Sequence, residues 1–198
     1  MRIFFAALMI GLAGTPALAQ DDRAETCAVE GAPSPDEAIV ACGFVISAVG
    51  STAATRLHAL LVRAEIQRRL SHLDLAMQDC DEAVRLDAAS AEARDLRGRV
   101  RTDAKQYEHA LDDFDRAIRL DKNLASAFAG RATTFALMRQ HRLAVRDYTE
   151  AIRLDPRNTQ FLADRAAEFF KVRRIDLAID DRTAAIGLEP KVAAHYES

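Results

Sequence analysis

Apolar residues recur at every third or fourth position along most of the chain, which is the spacing of one face of an α-helix. The clearest such run covers residues 107–120 and ends with Leu120-Asp121. Three similar runs end with Leu86-Asp87, Leu154-Asp155 and Leu188-Glu189, so that successive endings lie 34 residues apart. A fixed repeat of this length predicts helical units that stack on one another.

Each repeating unit is predicted to be a pair of helices, because a second and weaker apolar stripe precedes every run. Alanine occupies two fixed positions of the second helix, for example Ala110 and Ala117. One helix pair cannot cover its own apolar stripes, so stacking is expected to stabilise the units. The predicted units span residues 57–90, 91–124, 125–158 and 159–192, and a short tail covers residues 193–198.

Residues 20–56, before the first unit, are predicted to form a polar arm followed by one helix. Ser34 is the expected N-cap, Pro35 occupies the first turn, and Asp36 and Glu37 favour the positive end of the helix dipole. The apolar positions of this helix match those of a second helix. We therefore expect an all-α fold of four helix pairs, preceded by one degenerate half-repeat helix.

Residues 1–19 have the pattern of a secretory signal peptide. The apolar run from Ile3 to Ala13 is too short to cross a bilayer, and Ala17 and Ala19 are small enough for cleavage after Ala19. An uncleaved anchor is the alternative, which the short run disfavours. We expect an exported protein with no membrane span once the leader is removed.

The chain has three cysteines, and an exported location permits a disulfide. Cys42 and Cys80 occupy equivalent places in successive units, too far apart for a bridge. The predicted disulfide is therefore Cys27–Cys42, and a reactive thiol pair is the alternative. Cys80 lies on the apolar face of its helix and is predicted to be a small buried residue.

The repeat length, the two alanine positions and the prolines Pro156 and Pro190 resemble the tetratricopeptide repeat family. The resemblance implies a right-handed α–α superhelix whose first helices line a concave, protein-binding groove. The glycine that this family uses between its helices is replaced here by Ser71, Lys105, Arg139 and Arg173.

The resemblance also assigns a partner-binding groove, of mixed charge in its N-terminal half and mostly apolar in its C-terminal half. The set of lysines and asparagines with which some family members hold acidic chaperone tails is missing here, which disfavours a chaperone-tail adaptor. The groove residues are Leu61, Glu65, Arg68, Arg69, Glu92, Arg99, Thr102, Ala129, Thr133, Leu137, Gln160, Ala163, Phe170 and Lys171.

An arginine recurs once per unit, and an aspartate follows it sixteen residues later. A charged ladder for ligands is one interpretation. We favour structural ion pairs, because a partner-binding surface has no reason to repeat identically. The pairs are Arg63 with Asp79, Arg97 with Asp113, Arg131 with Asp147, and Arg165 with Asp181.

Charge and motif content restrict the function further. The 27 basic and 30 acidic residues give a formal net charge of -3, which disfavours a nucleic-acid-binding protein. The histidines lack metal-ligand spacing, and no phosphate-binding loop or nucleophile motif is present, so we expect no metal, cofactor or catalysis. The sequence indicates a non-catalytic scaffold in the bacterial periplasm that binds a protein or peptide. A secreted protein acting on host or neighbouring cells, or an accessory subunit of an envelope enzyme, is the alternative.

Overall fold

The computed structural model describes Cys27 and residues 34–188. The predicted leader, the rest of the polar arm and the C-terminal tail lie outside these residues. The described part contains nine α-helices and no strand. They are α1 (Pro35–Ser47), α2 (Ala53–Arg69), α3 (Leu73–Leu86), α4 (Ala91–Asp103), α5 (Tyr107–Leu120), α6 (Ala125–Leu137), α7 (His141–Leu154), α8 (Thr159–Lys171) and α9 (Ile175–Leu188).

The helices pack in chain order. The pairs α2/α3, α4/α5, α6/α7 and α8/α9 have the most extensive contacts, and α1 packs on α2. Neighbouring pairs meet through α3–α4, α5–α6 and α7–α8, and the first helices α2, α4 and α6 also contact one another in sequence. The expected fold class is confirmed: one helix precedes four helix pairs in an α–α superhelix.

Side-chain caps explain where several helices begin. Ser34 accepts a hydrogen bond from the N–H of Glu37 at 3.2 Å, with Pro35 in the first turn of α1. Thr52 accepts from the N–H of Thr55 at 3.1 Å. This second cap lets α2 begin at Ala53, upstream of the position at which the first unit was predicted to start.

The turn inside each helix pair has one non-glycine residue with positive φ. Ser71, Lys105, Arg139 and Arg173 have φ between 60° and 62°. The backbone hydrogen bonds are those of a Schellman motif: the N–H of Arg139 donates to the Ala136 carbonyl at 3.0 Å, and that of the next residue donates to the Phe135 carbonyl at 2.8 Å. Four side chains therefore adopt a conformation that glycine adopts at lower cost.

The repeated alanines form the tightest contacts between helices. The side chains in both positions are fully buried in the second helices α3, α5 and α7. Burial is less complete in α9, where Ala178 is 9% exposed and Ala185 is partly exposed. Arg182 is exposed in α9, whereas Phe114 and Tyr148 are buried at the equivalent positions. Among the described residues, α9 is therefore the end of the stack.

Phe114 is the largest fully buried side chain among the described residues. Its ring lies against Gly98 of its own helix pair and Gly130 of the next one. A Cβ atom added at Gly98 would lie 2.8 Å from Cε1 of the ring, and one at Gly130 would lie closer still. Two glycines thus make room for one aromatic ring between the second and third units.

The first helix is held by a disulfide and an apolar cluster. Cys27 and Cys42 form the disulfide, with a Cα–Cα distance of 4.8 Å. Around it, Ala38 and Ala41 of α1 pack in the same cluster as Val62 and Ile66 of α2. The bridge therefore ties a residue of the polar arm to the helix that begins the stack.

The remaining cysteine is buried and unreactive. Cys80 is free, fully buried, and packed with Ala64, Ala76 and Val100. Burial raises the pKa of the Cys80 thiol to about 12, so the nucleophilic thiolate is not formed near neutral pH. The thiol acts as a small apolar side chain.

No helix in the described ranges is both long and apolar enough to cross a membrane.

Candidate partner-binding surface

One side of each first helix has an arginine that binds the second helix of the same pair. Its Nε and Nη2 atoms donate two parallel hydrogen bonds to the aspartate carboxylate, the bidentate geometry that suits a guanidinium group. The shortest distances are 2.6 Å for Arg63–Asp79, 2.7 Å for Arg97–Asp113, 2.6 Å for Arg131–Asp147 and 2.7 Å for Arg165–Asp181.

Three of these arginines also reach back to the preceding unit through Nη1. Arg97 binds Asp81 at 2.9 Å, and Arg131 binds Asp115 at 2.7 Å. Arg165 instead donates to the hydroxyl of Thr149, at 3.1 Å. Each of the three joins both helices of its own pair to the pair before it, which is a structural arrangement with the period of the repeat.

The groove residues predicted from the resemblance lie on another side of the first helices. Glu65, Thr102 and Ala129 are buried there: Thr102 is 5% exposed, and its hydroxyl donates to the Gly98 carbonyl at 2.9 Å and contacts the Thr134 hydroxyl at 2.8 Å. Four of them are partly exposed: Leu61, Arg68, Arg99 and Ala163. The other seven are exposed: Arg69, Glu92, Thr133, Leu137, Gln160, Phe170 and Lys171.

Four of the predicted groove residues surround one depression between α2, α4 and α6, with a volume of about 310 Å³. We name it the α2–α4–α6 pocket. It is lined by His58, Leu61, Val62, Glu65, Glu92, Asp95, Leu96, Arg99 and Ser126.

Glu65 is the most strongly paired acid of the pocket. Arg68 donates to it twice, at 3.0 Å, and Arg69 donates at 2.8 Å. Burial alone would raise the pKa of Glu65. The hydrogen bonds from Arg68 and Arg69 and the charge of Arg99 outweigh burial and lower the pKa to about 2. Glu65 therefore stays ionised and fixes two arginines at the edge of the pocket.

Asp95 lines the same pocket but lacks such pairing. It is only 4% exposed, and burial raises its pKa above the ordinary value, although the charge of Arg99 and the hydroxyl of Ser126 oppose the shift. Its Oδ1 atom has no hydrogen-bond partner among the described residues. The nearest guanidinium nitrogen, Nε of Arg99, is 3.6 Å from Oδ2.

The sequence interpretation missed Asp95, although the repeat contained a signal for it. Asp95 is the 34-residue equivalent of Leu61, Ala129 and Ala163, all of which were assigned to the groove. Those three residues have no charge, so the equivalent positions did not indicate an acid at position 95. His58 and Ser126 were missed in the same way, since they are the equivalents of Glu92 and Gln160.

The other end of the groove is apolar and exposed. Leu137 at the end of α6 is 53% exposed, and Phe170 near the end of α8 is 66% exposed. At Glu168, a residue of α8 that was not predicted, the buried carboxylate contacts Nδ1 of His141 and Nζ of Lys171, at 2.7 and 2.6 Å. The groove residue Lys171 is thus held by an ion pair beside an exposed aromatic ring.

Solved structures of other proteins share this architecture. A crystal structure of MamA is 24% identical, with a TM-score of 0.64, and the match covers 81% of this chain and 91% of that one. The tetratricopeptide-repeat protein TTC0263 from Thermus thermophilus is 17% identical, with a TM-score of 0.71 and coverages of 79% and 84%. MamA from Desulfovibrio magneticus RS-1 is 17% identical, with a TM-score of 0.65 and coverages of 88% and 95%.

No protein-family model matches the sequence, and no curated protein matches it. The fold is therefore recognised by its shape and by its internal repeat. Four helix pairs with a 34-residue period, stacked as in these solved structures, show that the chain has the tetratricopeptide-repeat fold.

Proposed function

We propose that the protein is a non-catalytic scaffold of the bacterial periplasm, which binds a partner peptide or helix along the concave side of its first helices. The observation that carries this proposal is the contrast between repeated and unrepeated positions. The arginine–aspartate pairs recur in every unit, whereas the groove positions change from unit to unit and remain largely exposed. The repeat does not require the exposed groove residues, so binding is the role left for them.

The exposed apolar end of the groove suits a partner with an apolar side chain. Leu137 and Phe170 expose more than half of their surfaces. Exposed aliphatic and aromatic residues along one groove are what an amphipathic helix or an extended peptide contacts.

The test is photo-crosslinking in cells from Leu137 and Phe170, with mass spectrometry of the trapped proteins. His72, which is exposed in the turn between α2 and α3, provides the matched control. We expect one protein to be trapped from both groove positions and not from His72. Equal trapping from all three positions would contradict the proposal.

The compartment requires a separate measurement. A disulfide fits an oxidising location. We expect a C-terminally tagged copy in the periplasmic fraction. Recovery from the medium would favour the alternative, a secreted protein that acts on host or neighbouring cells. Co-purification with one envelope enzyme, whose activity changes when the scaffold is removed, would favour an accessory subunit.

A further inference from the structure

The α2–α4–α6 pocket contains a buried carboxylate whose hydrogen-bonding capacity is not filled. Asp95 is 4% exposed, and its Oδ1 atom has no partner among the described residues. Buried polar atoms without a hydrogen-bond partner are costly and are rarely kept for stability. This atom is therefore the unusual feature of the pocket.

The neighbouring cations do not neutralise Asp95 fully. Arg69 donates a hydrogen bond to Glu65, and Arg68 donates to Glu65 and Asp103. Arg99 lies between the two acids, 3.5 Å from Glu65 and 3.6 Å from Asp95, and its Nε atom has no hydrogen-bond partner either. One loosely placed guanidinium is thus shared by two carboxylates.

The repeat itself does not account for this acid. The equivalent residues are Leu61, Ala129 and Ala163, so helix packing at this position works without a carboxylate. An acid that the fold does not need, located in a groove, points to a ligand.

The rest of the pocket defines the chemistry of that ligand. Glu92 is exposed and adds a third carboxylate beside Glu65 and Asp95, while Leu61, Val62 and Leu96 are apolar. A basic side chain matches both features, since its aliphatic stem packs on apolar surface while its charged end binds carboxylates. The volume of about 310 Å³ is at the lower limit of small-molecule sites. It therefore fits one side chain.

We infer that the α2–α4–α6 pocket receives a lysine or arginine side chain of the partner peptide, with Oδ1 of Asp95 accepting a hydrogen bond from its ammonium or guanidinium group. The inference rests on the proposed function, because it assumes a peptide in the groove. It adds that the partner presents a basic residue to the N-terminal half of the groove and an apolar residue to Leu137 and Phe170.

The test selects displayed random peptides on the full chain and on Asp95→Asn. We expect the unmodified protein to enrich lysine or arginine at one peptide position, and Asp95→Asn to lose that preference by roughly tenfold or more. Asp164→Asn is the matched control, because Asp164 is a half-buried acid of α8 that binds Gln160 and lies outside the pocket. It should keep the preference.

Thermal unfolding distinguishes this role from a structural one. Asp95→Asn replaces a buried and weakly paired carboxyl group with an amide of the same shape. Its Tm is therefore expected to be equal to or above that of the unmodified protein. A lower Tm, with the lysine or arginine preference unchanged, would make Asp95 a structural residue and overturn the inference.

The remaining outcomes separate the inference from the proposed function. If apolar peptides are selected and are lost in Leu137→Asp, without any basic preference, the groove function stands and the assignment of the pocket fails. If no form of the protein enriches any peptide, both fail. Calorimetry with putrescine tests whether a small free amine, and not a peptide side chain, occupies the pocket. Binding as tight as that of a selected lysine peptide would overturn the peptide assignment.

Discussion

Two sides of the first helices differ in how strictly their residues repeat from unit to unit. The side that binds the second helices has arginine at position 63 and at its three equivalents, with the same bidentate geometry each time. Two residues further along the chain, on the groove side, the equivalent positions hold Glu65, Arg99, Thr133 and Ala167. The first side is fixed by the need to stack, whereas the second is free to carry specificity.

The largest loss of stability is expected on substitution of Asp113, which is the least exposed of the four repeated aspartates. Asp113 is 1% exposed and accepts hydrogen bonds from Arg97 and Arg101. Asp113→Ala would remove the buried carboxylate that Arg97 and Arg101 share, so it should lower the free energy of unfolding by about 3–5 kcal/mol. Asp115→Ala removes a half-exposed acid and should cost about 1 kcal/mol or less. Similar losses of unfolding free energy for the two variants in urea denaturation would contradict a special structural role for the repeated aspartates.

The second largest effect on stability is expected at Glu65, a charged residue on the groove side. The pKa of Glu65 is lowered from 4.5 to about 2 by its arginines. A lowered pKa contributes stability that is complete above 4.5 and is lost as the pH falls towards 2, by an amount on the order of 3 kcal/mol. Glu65→Gln should lower stability at neutral pH and flatten the pH dependence in that window.

An exposed ion pair gives the control for Glu65. Glu150 binds Arg153 on the surface, so Glu150→Gln should leave stability at neutral pH within about 0.5 kcal/mol of the unmodified protein. An unchanged slope between pH 5 and pH 2 in Glu65→Gln would show that the Glu65 cluster does not stabilise the fold.

A smaller effect is expected where glycine makes room for Phe114. Gly98→Ala places a methyl group against the ring and should cost about 1–3 kcal/mol through overpacking. Gly187→Ala, in helix α9, is the matched control, because a Cβ added there meets no described residue within 4 Å. That variant should gain up to about 1 kcal/mol from helix propensity. Thermal unfolding of both checks the expectation, which fails if both variants are stabilised.

The smallest effect is a gain in stability at the turns. Arg139 has φ of 61°, so Arg139→Gly should stabilise the protein by up to about 1 kcal/mol. Arg146→Gly, at an exposed position within α7, should instead lose about 1 kcal/mol. Urea denaturation that showed a loss in both variants would mean that the Arg139 side chain has a stabilising contact.

The repeated part of the molecule could be predicted from the sequence, because each signal was present several times. One helix pair alone would be ambiguous, whereas alanine at the same two positions in four units fixes the helices and their order. The disulfide Cys27–Cys42 was favoured because Cys42 and Cys80 occupy equivalent places in successive units, and the structure contains it.

The unrepeated groove positions were harder to predict from the sequence, because the residue type there changes from unit to unit and the equivalent positions give little support to any one residue. Thr102 was assigned to the groove by its position, yet α4 and α6 approach closely enough for its hydroxyl to reach Thr134. Asp95 was missed because its equivalents are apolar. Exposure and pairing at such positions depend on the distance between neighbouring helices, which a one-dimensional pattern does not contain.

The ring of Phe114 has a consequence for how such a chain can change in evolution. Equal unit lengths suggest that a whole unit can be lost or duplicated without a shift in register. Deleting residues 125–158 would nevertheless bring Asp164 to the position that Gly130 occupies beside the ring. Deleting residues 91–124 would put Cys80 where the ring lies and leave a void. We therefore expect the second and third units to be inherited or exchanged together rather than one at a time.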